Sequence, residues 1–187
     1  MEIILTSTLL VAFAEIGDKT MLLAILLAAR LRKPAPIIAG IFAATLANHA
    51  LAAWAGAEIA GLLNGRGFQI GVALSFLAMA AWTLVPDKLN DGDAKASRFG
   101  PFLTTLLAFF ATEMGDKTQI ATVALAAHYH AIGLVALGTT IGMMIANVPA
   151  VYLGERICRV LPMRAVRIAA ALIFAAIGLW ALIDLFG

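Results

Sequence analysis

The stretch that decides the fold is Glu15-Ile-Gly-Asp-Lys-Thr20, set inside an apolar segment, together with its echo Glu113-Met-Gly-Asp-Lys-Thr118, which lies 98 positions further on inside another. Working outward, the same offset keeps matching. Ala28-Ala29 meets Ala126-Ala127, Gly40 meets Gly138, Gly56 meets Gly154, and Phe76 and Trp82 meet Phe174 and Trp180. Asn48 and Asn147 correspond if one residue is slipped. A single apolar match means nothing in a chain this rich in Ala and Leu. A six-residue charged motif at a constant offset means the chain is two copies of one unit.

The solvent of that unit is lipid. Of the 187 residues, 63% are hydrophobic and 13% charged, with mean hydropathy +0.98, whereas soluble domains carry about 25% charged residues. A membrane-crossing helix takes roughly 20 apolar residues. The breakers divide the sequence into spans at about 3–29, 35–63, 68–86, 101–127, 131–153 and 165–186. The N-terminus lacks a basic start and reads as the first span rather than a signal peptide. The expected organisation is a first three-helix repeat over 1–86, a polar cytoplasmic linker over 87–100, and a second repeat over 101–187. Three spans is an odd number, so the second copy enters the membrane from the opposite side. The fold class expected is therefore an all-α membrane protein, six transmembrane helices arranged as two inverted-topology repeats.

Charge sets the orientation. The first, third and fifth loops carry three, three and four Lys or Arg, whereas Arg66 stands alone on the other side. The basic side faces the cytoplasm, which places both termini outside it. One cysteine, Cys158, excludes an intrachain disulfide, a CxxC redox centre and a cysteine-based zinc site. Neither a nucleic-acid partner nor a resident cofactor is expected.

The remaining charges carry the chemistry. Glu15, Asp18 and Lys19, and Glu113, Asp116 and Lys117, fall near the middle of two spans, where each ionisable group costs at least about 2.5 kcal/mol on insertion scales. They must face protein or a wet cavity. On a continuous helix each set of three shares one face, and inverted symmetry brings the two faces together. Fully ionised, four acids and two lysines sum to −2, which one divalent cation or two protons would cancel. The carboxylates, with Thr20, Thr118, Asn48, Asn147 and Gln119 in support, are hard oxygen donors suited to Ca²⁺, Mn²⁺ or Mg²⁺.

Blander readings apply elsewhere. Gly17 and Gly115 are expected as close-packing positions. His49 in the second span has a proton or metal role only as a minor alternative. His128 and His130 belong to a short external loop. Pro149 is expected to kink the fifth span, Trp54, Trp82 and Trp180 to pack or mark interfaces, and Met143-Met144 to fill core.

The duplicated E-φ-G-D-[KR]-[ST] motif, here EIGDKT and EMGDKT, resembles the signature of the Gdt-type cation/proton exchangers, a family of eukaryotic Golgi Ca²⁺/Mn²⁺–proton antiporters and bacterial manganese exporters. The resemblance covers the whole chain. It implies exchange of Mn²⁺ or Ca²⁺ for protons, with Glu15, Asp18, Glu113 and Asp116 binding the ion and Thr20 and Thr118 adjoining it. The compact length looks bacterial, which implies manganese export across the plasma membrane; a homo-oligomer is compatible with this. The alternatives are an intramembrane enzyme, of aspartyl-protease or lipid-phosphatase type, and a small-solute exporter. The first needs two bare aspartates sharing a proton. The second needs a midplane arginine for phosphate, and there is none.

Overall fold

The computed structural model describes residues 1–63, 65–86, 99–154, 156 and 162–186. Most of the expected linker, residues 87–98, lies outside the described residues, as do Cys158 and Arg159. Eight helices account for nearly all of what is described: α1 (Glu2–Glu15), α2 (Lys19–Leu31), α3 (Pro34–Leu62), α4 (Arg66–Thr83), α5 (Pro101–Glu113), α6 (Lys117–Tyr129), α7 (Ile132–Leu153) and α8 (Met163–Phe186). Three of them, α3, α7 and α8, are long and apolar enough to cross a membrane.

Large apolar side chains cover the outside, and polar ones are buried within the apolar interior. Leu5, Phe42, Leu51, Trp54, Leu172 and Ile183 are exposed, whereas Ser7, Glu15, Asn48, Thr105, Glu113 and Asn147 are fully buried. Water would not tolerate that arrangement, because exposed apolar area costs roughly 25 cal/mol per Å². Hydrocarbon supplies no such penalty, and it forces polar side chains to seek partners inside the protein.

The two motif-bearing segments depart from the expected continuous spans. Each is a pair of short helices, α1 with α2 and α5 with α6, broken at the motif. Glu15 to Asp18 and Glu113 to Asp116 form tight turns: the Asp18 amide donates to the Glu15 carbonyl at 3.0 Å and Asp116 to Glu113 at 3.0 Å. Ile16 (φ −64°, ψ 113°) and Met114 (φ −62°, ψ 115°) sit at the second turn position, and Gly17 (φ 86°) and Gly115 (φ 77°) at the third. These are the angles of a type II turn, whose third position needs a left-handed φ and hence glycine. Gly17 and Gly115 are thus unwound backbone; Gly17 is also closely packed, under Met163, whereas Gly115 has nothing within 4 Å of where a Cβ would stand. The break also ends the idea of one shared helical face, since Glu15 and Asp18 belong to different helices, as do Glu113 and Asp116.

The 98-residue offset recurs in the backbone. α2 and α6 both end on a non-glycine residue in the left-handed region, Arg32 (φ 51°) and its equivalent His130 (φ 50°). Contacts come in exchanged sets: α1 packs on α7 as α5 packs on α3, α2 meets α7 as α6 meets α3, and α4 meets its own equivalent α8, with Phe76 and Phe174 6.5 Å apart between ring centres.

Glycines allow the closest of these crossings. A Cβ on Gly40 would meet the Phe102 carbonyl oxygen at 2.7 Å and Thr105 Cβ at 2.8 Å; on Gly138 it would meet Ile4 oxygen at 2.9 Å and Ser7 Cβ at 2.8 Å, the same contacts moved by one repeat. On Gly142 it would meet the Thr8 oxygen at 2.5 Å. Pro149 lies within α7. We expect Gly142→Ala to lower the thermal unfolding midpoint in detergent, at an overpacking cost of about 1–3 kcal/mol. Gly133→Ala, which meets nothing within 4 Å, should be neutral or stabilising. Equal behaviour of the two variants would contradict the close α1–α7 contact.

Candidate metal centre

Breaking the two helices places four charged ends together. Each break leaves the last-turn carbonyls of α1 and α5 and the first-turn amides of α2 and α6 without partners in their own helices. It also lets the side chains on either side of the turn point independently. Glu15 and Glu113 close α1 and α5, and Asp18 and Asp116 stand at the N-caps of α2 and α6. All four carboxylates are buried.

Within each motif the glutamate is held by the threonine five residues on. Thr20 Oγ1 donates to Glu15 Oε2, and Thr118 Oγ1 donates to Glu113 Oε2 at 3.0 Å. The closest ion pairs of the lysines run between the motifs. Lys19 Nζ lies 3.0 Å from Asp116 Oδ1, and Lys117 Nζ lies 3.0 Å from Asp18 Oδ1. The sequence spacing pointed instead to Lys19 beside Glu15, four residues back on one helix. The turn at Gly17 removes that neighbour relation, and the ammonium crosses to the other repeat.

Glu15, Glu113 and Asp116 each offer an oxygen, and these atoms lie within 4.8 Å of one another. Glu15 Oε1, Glu113 Oε1 and Asp116 Oδ2 are buried without a hydrogen-bond partner. Carboxylates gathered this closely in a low-dielectric interior are costly, and a hard cation among them would satisfy all three. Asp18 is not part of this triad.

Two of the three amides, Gln119 and Asn48, form one chain of hydrogen bonds. Gln119 Oε1 accepts from the Gly115 amide at 2.7 Å, and Gln119 Nε2 donates to Asn48 Oδ1 at 3.4 Å. Asn48 Nδ2 in turn donates to the Phe110 carbonyl at 3.1 Å. Asn147 donates to the carbonyl of Met143 on its own helix at 3.0 Å and keeps Oδ1 buried and unpartnered. At strict offset the equivalent of Gln119 is Met21, which is fully buried, so the two repeats differ at this point. His49 is fully buried with neither ring nitrogen hydrogen-bonded, and it is not in the carboxylate triad. His128 packs its ring on Tyr129 and Trp180 rather than standing free in solvent.

Sequence reasoning missed the turns. Their signal was present: glycine two residues after Glu15 and after Glu113, each followed by an aspartate fit to cap a helix.

The description "Divalent cation/proton antiporter GDT1" belongs to a family that matches residues 3–91 and 101–187. A Vibrio cholerae protein named "Putative manganese exporter" is 50% identical over 180 residues, covering 96% of this chain and 90% of its own. GDT1-like protein 3 of Arabidopsis thaliana is 28% identical over 200 residues, 92% of this chain and 68% of its own. GDT1-like protein 3 of Oryza sativa subsp. indica is 28% identical over 199 residues, 92% of this chain and 71% of its own. No solved structure matches. The intramembrane-enzyme alternative gives way to transport on these grounds. The chain belongs to the GDT1 family of divalent cation/proton antiporters, and it is an integral membrane cation transporter rather than an enzyme.

Proposed function

We propose that this chain exchanges a divalent cation, Mn²⁺ by preference and Ca²⁺ as the alternative, for protons, and so exports metal from the cytoplasm across a bacterial plasma membrane. The observation that carries the reading is the close group of buried carboxylates Glu15, Glu113 and Asp116 at the breaks of two helices, each with one oxygen lacking a hydrogen-bond partner. Discontinuous helices meeting between repeats are a recurrent way of building ion sites in transporters. The manganese preference leans on the name of the Vibrio cholerae relative, and hard oxygen donors accommodate either ion.

The proposed architecture is six spans in two inverted three-helix repeats, 1–86 and 101–187, joined by the linker. Two observations support it. The 98-residue offset holds in motif, helix ends and turn angles, and contacts recur with the repeats exchanged, as a two-fold rotation gives. The loop charges support cytoplasmic loops one, three and five and outward termini. Asp18, by the same symmetry, takes the place of Asp116 when the other face of the protein is open.

The charge of the site then supplies the coupling rule. With both lysines charged, the empty site carries −2, and moving that charge through a closed low-dielectric intermediate is costly. One M²⁺ neutralises it, and so do two protons. Loaded forms therefore switch between faces more readily than the bare one, and protein that has released metal returns with protons. An inward proton gradient drives metal out.

Transport of ⁵⁴Mn²⁺ and ⁴⁵Ca²⁺ in proteoliposomes with an imposed pH gradient tests this reading. Glu15→Ala, Glu113→Ala, Asp18→Ala and Asp116→Ala should each abolish divalent flux while the protein remains folded by thermal unfolding in detergent. Normal flux in both glutamate variants would disprove the site. In liposomes clamped at several membrane potentials under a fixed pH gradient, flux should not depend on potential. Strong dependence would rule out two protons per ion, and metal flux without proton counter-movement would rule out exchange.

A further inference from the structure

The two lysine–aspartate pairs have the same 3.0 Å length but different surroundings. The side chain of Lys19 is 23% exposed, whereas that of Lys117 is 5% exposed and its partner Asp18 2%. The backbone beside the aspartate of each pair differs as well, Gly17 preceding Asp18 and Gly115 preceding Asp116. At Gly17 an added Cβ would meet Met163 Sδ at 3.0 Å, whereas at Gly115 it would meet nothing within 4 Å, and Met114 next to it is 57% exposed. The position equivalent to Met163 is Gly65, which has no side chain to place over Gly115. One motif is covered and the other is open.

The triad of bare oxygens follows this asymmetry. It contains Asp116, the partner of the more exposed lysine, and leaves out Asp18, the partner of the buried one. A cation that reaches Glu15 and Glu113 from the open motif gains a third carboxylate at Asp116, whose Oδ2 has no hydrogen-bond partner while the Lys19 ammonium lies on Oδ1 of the same group, so the two positive charges repel each other across it. Two cations then compete for one carboxylate. The flexible four-carbon stem of lysine, ending in a compact charge, suits a group that must let go and return.

We propose that Lys19 is a tethered stand-in for the transported ion: it neutralises Asp116 while the site is empty and is displaced by the arriving divalent cation. Lys117 on Asp18 is meanwhile the closed lock of the other motif, and the two lysines trade roles when the protein turns its other face. Exchange of the pairs keeps each aspartate neutral in both states, so the only uncompensated charge the empty protein carries is that of Glu15 and Glu113. Lys19 is thereby a positioning and selectivity residue, since a monovalent ion in the site would gain less than the ion pair it has to break. This inference rests on the divalent-cation site proposed above.

The test uses the wild-type chain in detergent, with Mn²⁺ binding followed by calorimetry and amine acylation mapped by mass spectrometry. Saturating Mn²⁺ should raise the acylation rate of Lys19 by about tenfold, the change expected for release from an ion pair worth about 1.4 kcal/mol, while Lys117 stays protected and Lys33, in a loop, is unchanged. As a second arm, Lys19→Gln should bind Mn²⁺ about tenfold more tightly than wild type, and Lys19→Arg no more tightly, because its guanidinium stays on Asp116. Lys19 acylation that is unchanged or reduced on Mn²⁺ binding would overturn the proposal even if Lys19→Gln fails to fold, and so would a folded Lys19→Gln that binds no more tightly. A wild-type chain that binds neither Mn²⁺ nor Ca²⁺ would instead overturn the cation site itself, and this inference with it.

Discussion

Four carboxylates and two ammonium groups are taken out of water together, and most of the structure answers that one constraint. An isolated buried ion would cost several kcal/mol even after relaxation. Here each aspartate is matched to a lysine of the other repeat at 3.0 Å, so neither repeat can satisfy its own charges. The pairing leaves the two glutamates as the site's net charge, with a threonine on one oxygen of each and the other oxygen open.

The turns at Gly17 and Gly115 are the means to that end. A continuous helix would keep Glu15, Asp18 and Lys19 within one turn of each other, and Lys19 would neutralise Glu15 locally. Unwinding three residues turns Asp18 to the head of a new helix and sends Lys19 across the interface. Unwound backbone is tolerated at membrane depth only where it is buried in protein or lines a cavity. Close glycine crossings of α1 on α7 and α5 on α3 provide that enclosure.

Departures from symmetry are as informative as the symmetry. Gln119 stands where the first repeat has Met21, and Met163 where it has Gly65. Gln119 ties the Gly115 turn to Asn48 through hydrogen bonds, whereas the Gly17 turn is covered by the thioether of Met163. A polar, adaptable support on one turn and an apolar cover on the other give the two faces different character without altering the carboxylates between them.

Composition, the 98-residue offset and the placement of charged residues in apolar stretches were enough, by sequence alone, to identify a helical membrane protein with a duplicated motif and to single out four buried acids, three of which the structure groups together. Those features are local or additive: hydropathy sums along the chain, and a repeated motif is visible without folding it. The glycine turns were also written in the sequence, as Glu-φ-Gly-Asp, but lipid favours an unbroken helix so strongly that the pattern was outweighed. What only the tertiary structure decided is partnership. Whether Lys19 serves Glu15 four residues away or Asp116 almost a hundred residues away depends on where the backbone turns and on which helices cross. The grouping of Asp116 with Glu15 and Glu113 is likewise visible only in three dimensions. Both are set by a few ångströms of geometry that no spacing rule contains.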